Sequence, residues 1–266
     1  MKVIAVLNEK GGTGKTTTAI NIGAFMAKKG KRVLLVDCDH QLSLTKIMRM
    51  DKKKNSLSDV LMKKCEVEDA IYKWKSPNEW WAKMLENLEL YIMPSSELLW
   101  MIEDVMHSKE GVARYQYLKA QTEILAKKDL FDIVILDLPP GISLIASNGI
   151  AAADYLLIPA QPEYASVHST MRLINKIEKV KKDSKSTAKI LGVVVVQYDA
   201  RLQDHKLAWQ FMKKQDNVKV YETYIKRLSI INNSNRRGTP AVLTSEFKEG
   251  AIEYKKVAKE VLREIA

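Results

Sequence analysis

The first seventeen residues restrict this chain more than any other segment. Val3-Ile4-Ala5-Val6-Leu7 is a short apolar run. Glu9-Lys10-Gly11-Gly12-Thr13-Gly14-Lys15-Thr16-Thr17 follows it, and the helical pattern Thr16–Lys29 follows that. A strand feeding a glycine-rich turn and then a helix is the context in which a turn holds phosphate. Glycines let the backbone wrap close to an anion, so several N–H groups and the helix N-terminus point at it. In such a loop Lys15 reaches the β- and γ-phosphates of a nucleotide and the Thr16 hydroxyl binds Mg²⁺. Glu9 occupies the leading glycine position of the plain Gly-x-x-x-x-Gly-Lys-Thr pattern, so that pattern does not fit. The apolar run is short and no small-residue cleavage site follows it, so it reads as a buried strand and not as a signal peptide.

The rest of the chain keeps the same rhythm. Short β-branched runs occur at Val3–Leu7, Arg32–Val36, Leu88–Ile92, Ile133–Leu136, Tyr155–Ile158, Ile190–Val196 and Val218–Tyr221. Helical patterns lie between them at Thr16–Lys29, Leu57–Lys63, Glu110–Lys127, Ala165–Lys182 and Gln203–Lys213, with a last one over 246–265. Strands alternating with helices predict an α/β fold: a three-layer, doubly wound, mostly parallel sheet flanked by helices, as in P-loop NTPases. With 266 residues and no low-complexity linker or repeat, the expectation is a single domain over 1–266. Trp74–Trp81 carries three tryptophans and a proline, and is expected to be a turn in a surface excursion packed on the sheet edge. No apolar run is long enough to span a membrane. Cys38 and Cys65 lack metal-ligand spacing and fit a reducing, cytoplasmic setting.

Two further segments carry carboxylates. Val33-Leu34-Leu35-Val36-Asp37-Cys38-Asp39-His40-Gln41 places two acids at the carboxyl end of a strand, where doubly wound folds bind ligands. Ile133-Val134-Ile135-Leu136-Asp137-Leu138-Pro139-Pro140 is four apolar residues followed by Asp, a Walker B strand whose carboxylate, Asp137, holds Mg²⁺ directly or through water.

The loop Lys10-Gly11-Gly12-Thr13-Gly14-Lys15-Thr16, with its second lysine at the head, resembles the deviant Walker A motif of the ParA/MinD family. The resemblance runs along nearly the whole chain. It includes the Asp-x-Asp of Asp37 and Asp39, the Asp-x-Pro-Pro that begins at Asp137, the Pro-Ser turn after Leu88–Ile92, Ala152–Glu163, and the Tyr-Asp-x-Arg after Leu191. It implies an ATPase that uses ATP and Mg²⁺. Lys10 would reach across a nucleotide-sandwich homodimer to the partner's phosphates, much as an arginine finger does. Asp39 would orient or activate the attacking water and Asp37 would support the metal shell. Nucleotide contacts would come from Lys10, Gly11, Gly12, Thr13, Gly14, Lys15, Thr16 and Thr17, with Gln197 near the adenine pocket. His40 stands where the family has proline, and Lys226 departs from the proline of the family's Ile-Pro-Arg.

Charge narrows the choice within the family. The formal net charge is +11, and residues 170–240 hold 16 Lys/Arg against 6 Asp/Glu, so this stretch carries +10 and the remainder +1. A basic excess confined to one stretch suits a polyanion. Arg227, Arg236 and Arg237 are the candidate DNA contacts by charge and position. The ParA-like expectation is therefore ATP-dependent, non-specific DNA binding on the nucleoid, with hydrolysis stimulated by a ParB-like centromere-binding partner, in plasmid or chromosome segregation. The first strand starts at residue 3, so the short form without an N-terminal helix-turn-helix is expected. The alternative is a MinD-like protein that positions a membrane or protein cargo. It needs an amphipathic membrane anchor, whereas the apolar stripe of 246–265 fits a helix docked on the core; no membrane partner is expected. An iron-protein reading lacks paired cysteines, and no signal points to a metabolic synthetase's small-molecule pocket.

Overall fold

The continuous apolar runs become strands whose alternate residues enter two different cores. A computed structural model describes residues 1–50, 55–216, 218–244, 246 and 248–266. Its strands are β1 (Lys2–Val6), β2 (Val33–Asp37), β3 (Tyr72–Lys73), β4 (Leu90–Met93), β5 (Ile133–Asp137), β6 (Tyr155–Ala160) and β7 (Lys189–Val195). They form one sheet in the order β3-β4-β2-β5-β1-β6-β7. Every neighbouring pair is parallel except β3–β4.

Side chains alternate across a strand. Val3 and Ala5 join Leu34, Val36, Val134 and Leu136 in one core. Ile4 and Val6 join Val33, Leu35, Ile133 and Ile135 in the other. The first core is roofed by helices Leu99–His107, Tyr117–Lys127, Leu144–Ala152 and Tyr164–Ser184. The second is roofed by Lys15–Lys28 and Lys248–Ile265. This is the three-layer, doubly wound architecture that the pattern predicts. The helix after the glycine loop lies close on the sheet because Gly23 has no side chain; a Cβ there would stand 2.5 Å from Leu35 Cδ2.

Three expectations change. Val218–Tyr221 is not a strand: it meets β7 through a single isolated bridge, Val193 to Val220. Gly192 shapes that contact. Its φ is +148°, and a Cβ there would stand 2.7 Å from the Lys219 carbonyl oxygen, which accepts a hydrogen bond from Val193 N–H at 2.8 Å. The register of β7 against β6 shifts at the same place, so one bulged strand end replaces a regular eighth strand. The Trp74–Trp81 segment also divides. Trp74 is buried at the end of β3, while Trp80 lies exposed on a short helix, Glu79–Met84, capped by the Asn78 side chain. Finally, Glu110–Lys127 breaks into a 3₁₀ turn, Gly111–Tyr115, and the helix from Tyr117. The last helix begins at Lys248; Phe247, inside the expected range, lies outside the described residues.

Candidate active site

β1 delivers the chain to the carboxyl edge of the sheet, and Asn8 ties the loop there. Its side-chain amide donates to the Pro159 carbonyl at the end of β6 (2.6 Å), and its Oδ1 accepts from Lys10 N–H (3.0 Å). Gly12 and Gly14 both adopt left-handed φ, +74° and +72°, a conformation that costs glycine nothing sterically. Gly14 is the N-cap residue of helix Lys15–Lys28, and no side chain caps that helix. The N–H groups of its first turn are thus left for an anion.

Lys15 is buried, with its ammonium donating to the Lys10 carbonyl at 3.3 Å. Burial lowers its pKa, and the nearby Asp137 and Asp39 carboxylates pull it back up. Thr13 Oγ1 donates to the same Lys10 carbonyl. Thr17 points elsewhere, because its Oγ1 accepts from the Asn235 amide at 2.9 Å. Thr17 therefore joins the loop to the helix Ser229–Arg237.

The carboxylates come from adjacent strand ends. Asp37 and Asp137 are register partners across β2 and β5. Asp37 is fully buried, and its oxygens accept from Thr45 N–H (2.8 Å), Thr45 Oγ1 (2.7 Å) and Asp39 N–H (3.1 Å). Burial raises its pKa to about 6 despite those hydrogen bonds. Asp137 is also buried, and among the described residues neither of its oxygens has a hydrogen-bond partner of ordinary geometry. Burial and then the Asp37 charge push its pKa well up, while the adjacent Thr16 hydroxyl and Lys15 ammonium oppose that shift.

A buried acid with two orphaned oxygens costs free energy unless something faces it. A divalent cation meets that need, and the donor set of carboxylate and hydroxyl oxygen suits hard Mg²⁺. Among the described residues no cluster of three His, Cys, Asp or Glu forms a cage. Thr16 and Asp137 are the residues that would hold the ion, with Asp37 behind.

Asp39 lies at the mouth, its Oδ1 accepting from Gln41 N–H at 2.9 Å with His40 Nδ1 3.8 Å away. It is the least enclosed of the three acids, the position suited to meeting water.

On the opposite rim Lys10 turns within its own chain. Its ammonium pairs with Glu163 (2.8 Å) and reaches Gln161 (3.4 Å), both just past β6. Gln197 has φ +57°, and its amide donates to the Gly12 carbonyl at 2.8 Å, with Gln161 bonded to it at 2.9 Å. Beyond this rim a cavity of about 150 Å³ adjoins Gly14, Thr17 and Gln197, and Arg227 lines its outer side. Arg236 and Arg237 end the helix Ser229–Arg237, directly after the Asn235 that bonds Thr17 and about 6 Å along the axis from Asn232 of the cavity lining. The Arg236 carbonyl accepts from Arg49, and Arg237 pairs with Glu246. Among the described residues, seven of the 16 cations in 170–240 are in ion pairs with carboxylates.

The structure thus brings Lys10, Lys15, Thr16, Asp37, Asp39, Asp137 and Gln197 round one crevice. It adds Asn8, Thr45, Gln161, Glu163 and Asn235. Gln161 and Glu163 close the Ala152–Glu163 stretch that carries the family resemblance, and Asn8 is the polar residue between strand and loop, whereas no motif singles out Thr45 or Asn235.

Known proteins are similar to this chain in sequence and fold. The AAA domain family matches residues 1–190, which include the loop and all three acids. The sporulation initiation inhibitor protein Soj of Bacillus subtilis is 34% identical over 262 residues, covering 98% of each chain. The chain belongs to the ParA/MinD family of P-loop ATPases. The chromosome partitioning protein ParA of Caulobacter vibrioides is 30% identical over 264 residues, covering 98% of this chain and 94% of that one. Among solved structures, the cobyrinic acid a,c-diamide synthase of Mycobacterium smegmatis with bound ATP analog and magnesium superposes with a TM-score of 0.80. It is 28% identical and covers 99% of this chain and 95% of that one. The ParA/MinD fold therefore serves more than one activity, and the site has to decide the function.

Proposed function

We propose that this chain, acting as one domain over 1–266, is a ParA-type partitioning ATPase. The observation that carries the ATPase reading is Asp137, buried and unpartnered beside Lys15 and Thr16 at the foot of an uncapped helix. That arrangement fits Mg²⁺ and a nucleotide triphosphate. When bound, the ion would neutralise developing phosphate charge. The loop amides and Lys15 bind and orient the phosphates, and Asp39 positions water against the γ-phosphate. Lys10 leaves Glu163 and completes the partner's site, so that hydrolysis needs a homodimer.

The Soj and ParA relatives support DNA partition as the setting, as does the basic excess of 170–240. The ATP-bound dimer would hold non-specific DNA, with Arg227, Arg236 and Arg237 among the contacts, until a ParB-like partner stimulates hydrolysis. No described helix is long and apolar enough to cross a membrane, and the expected station is the nucleoid.

Hydrolysis and mass, measured on variants, test this reading. Asp39→Ala should keep ATP-dependent dimerisation and lose roughly 10²–10⁴-fold in hydrolysis, the usual worth of a positioned base. Lys10→Ala should bind ATP and remain monomeric by light scattering. Lys15→Ala should lose ATP binding. Wild-type hydrolysis by Asp39→Ala would overturn the role assigned to it.

A further inference from the structure

A second cavity, of about 800 Å³, opens at the amino edge of the sheet, the opposite end from the nucleotide crevice. Ligands of doubly wound folds bind at the carboxyl ends of the strands, so this one is not part of the fold's usual site. Five cations rim it: Lys2 at the start of β1, Lys29 and Lys31 after the first helix, and Lys259 and Arg263 on the last helix. All five are exposed.

Among the described residues none of these five is in an ion pair with a carboxylate, in contrast to the paired lysines of 170–240. The acidic side chains on the bordering segments are already engaged. Asp129 and Asp132 are held by Arg32, Glu264 by Lys219, and Glu260 accepts from Thr223. Compensation of the helix dipole accounts for Arg263, which lies in a last turn, and for Lys29, the C-cap residue of the first helix. It does not account for Lys2 and Lys31, which are on no helix, or for Lys259, which is more than a turn from the end.

Most of the wall between the cations is apolar, formed by Phe25, Ile133, Leu262 and Ile265, with the Arg32-bound Asp132 also in the lining. The Lys29 ammonium sits over the Phe25 ring, 5.7 Å from its centroid. The combination of a concave apolar wall and a few convergent charges is that of a small-ligand pocket. A bare polyphosphate would leave the apolar walls unfilled, and a neutral lipid would leave the cations unpaired. We propose that this cavity binds a small amphiphilic anion, an acyl chain with a phosphate or carboxylate head, independently of the nucleotide site.

Calorimetric titration with dodecyl phosphate below its micelle threshold tests the proposal, with laurate distinguishing the two heads. The wild type should bind one molecule saturably, weakening as salt rises, and dodecanol should bind poorly. The Lys259→Glu/Arg263→Glu double variant and the separate Lys29→Glu/Lys31→Glu variant should each weaken binding about tenfold or more. ATP affinity should stay unchanged in both, which also reports that they fold. The absence of saturable dodecyl phosphate binding would overturn the proposal. So would binding that both charge reversals leave intact, or displacement of dodecyl phosphate by inorganic phosphate alone at equal concentration.

Discussion

Asp37 and Asp137 face each other across adjacent buried strands, and two negative charges there are expensive without a counter-ion. Asp37 carries a testable consequence. In the unfolded chain it ionises near the ordinary aspartate value of about 3.9, whereas burial holds the folded carboxyl at about 6. Between those values the folded state keeps a proton that the unfolded state has lost. Stability contributed by this group therefore falls as pH rises from 4 to 6, by roughly 3 kcal/mol, and is level above that window. Without Mg²⁺ or nucleotide, Asp37→Asn should melt higher than wild type at pH 7 and equal to it at pH 4. A melting difference that is the same at both pH values would refute this assignment. Mg²⁺ with ATP should narrow the gap at pH 7, because the ion offsets the charge that Asn removes.

Elements differ in how plainly the residues announce them. β1, β2 and β5 with the loop and its helix were legible because each couples a β-branched run to a motif residue at its end: Leu7 to the glycine loop, Val36 to Asp37, Leu136 to Asp137. The helix Leu144–Ala152 was not, because eight of its nine residues are buried and it shows no one-sided stripe. The helix Ser229–Arg237 was not, because its Asn-rich run has weak helix propensity, and tertiary contacts such as Asn235 to Thr17 hold it. Thr45, which holds Asp37, comes from a helix of five residues, too short to carry a periodic pattern. Val218–Tyr221 misled for a different reason: its composition suits a strand, but Gly192 lets its backbone approach β7 at only one point. Gly192→Ala should therefore push the Lys219 segment away and destabilise the chain by roughly 2–4 kcal/mol in denaturant melts, through combined strain and overpacking. A loss within experimental error would show that the close approach is not needed.

For the whole molecule, the placement of charge links the crevice to the proposed partner. The nucleotide site sits on the carboxyl edge. Of the cations in 170–240, Arg227 lies at its rim and Arg236 and Arg237 end the helix Ser229–Arg237, whereas Lys181, Lys182 and Lys189 lie toward the amino edge, at the end of helix Tyr164–Ser184 and the start of β7. Among the described residues seven of those cations are paired within the chain, but surface pairs of this kind are worth little and can exchange their carboxylates for phosphates. Closing two chains over ATP would set two such surfaces side by side, so affinity for DNA should depend on the nucleotide as well as on charge. The most direct test is the affinity of the chain for a random-sequence duplex with ATP and Mg²⁺, with ADP and Mg²⁺, and with neither, each over a salt series. The account predicts binding with ATP that weakens steeply as salt rises, and little binding with ADP or without nucleotide. Absence of binding in every state, or equal binding in all three, would contradict it.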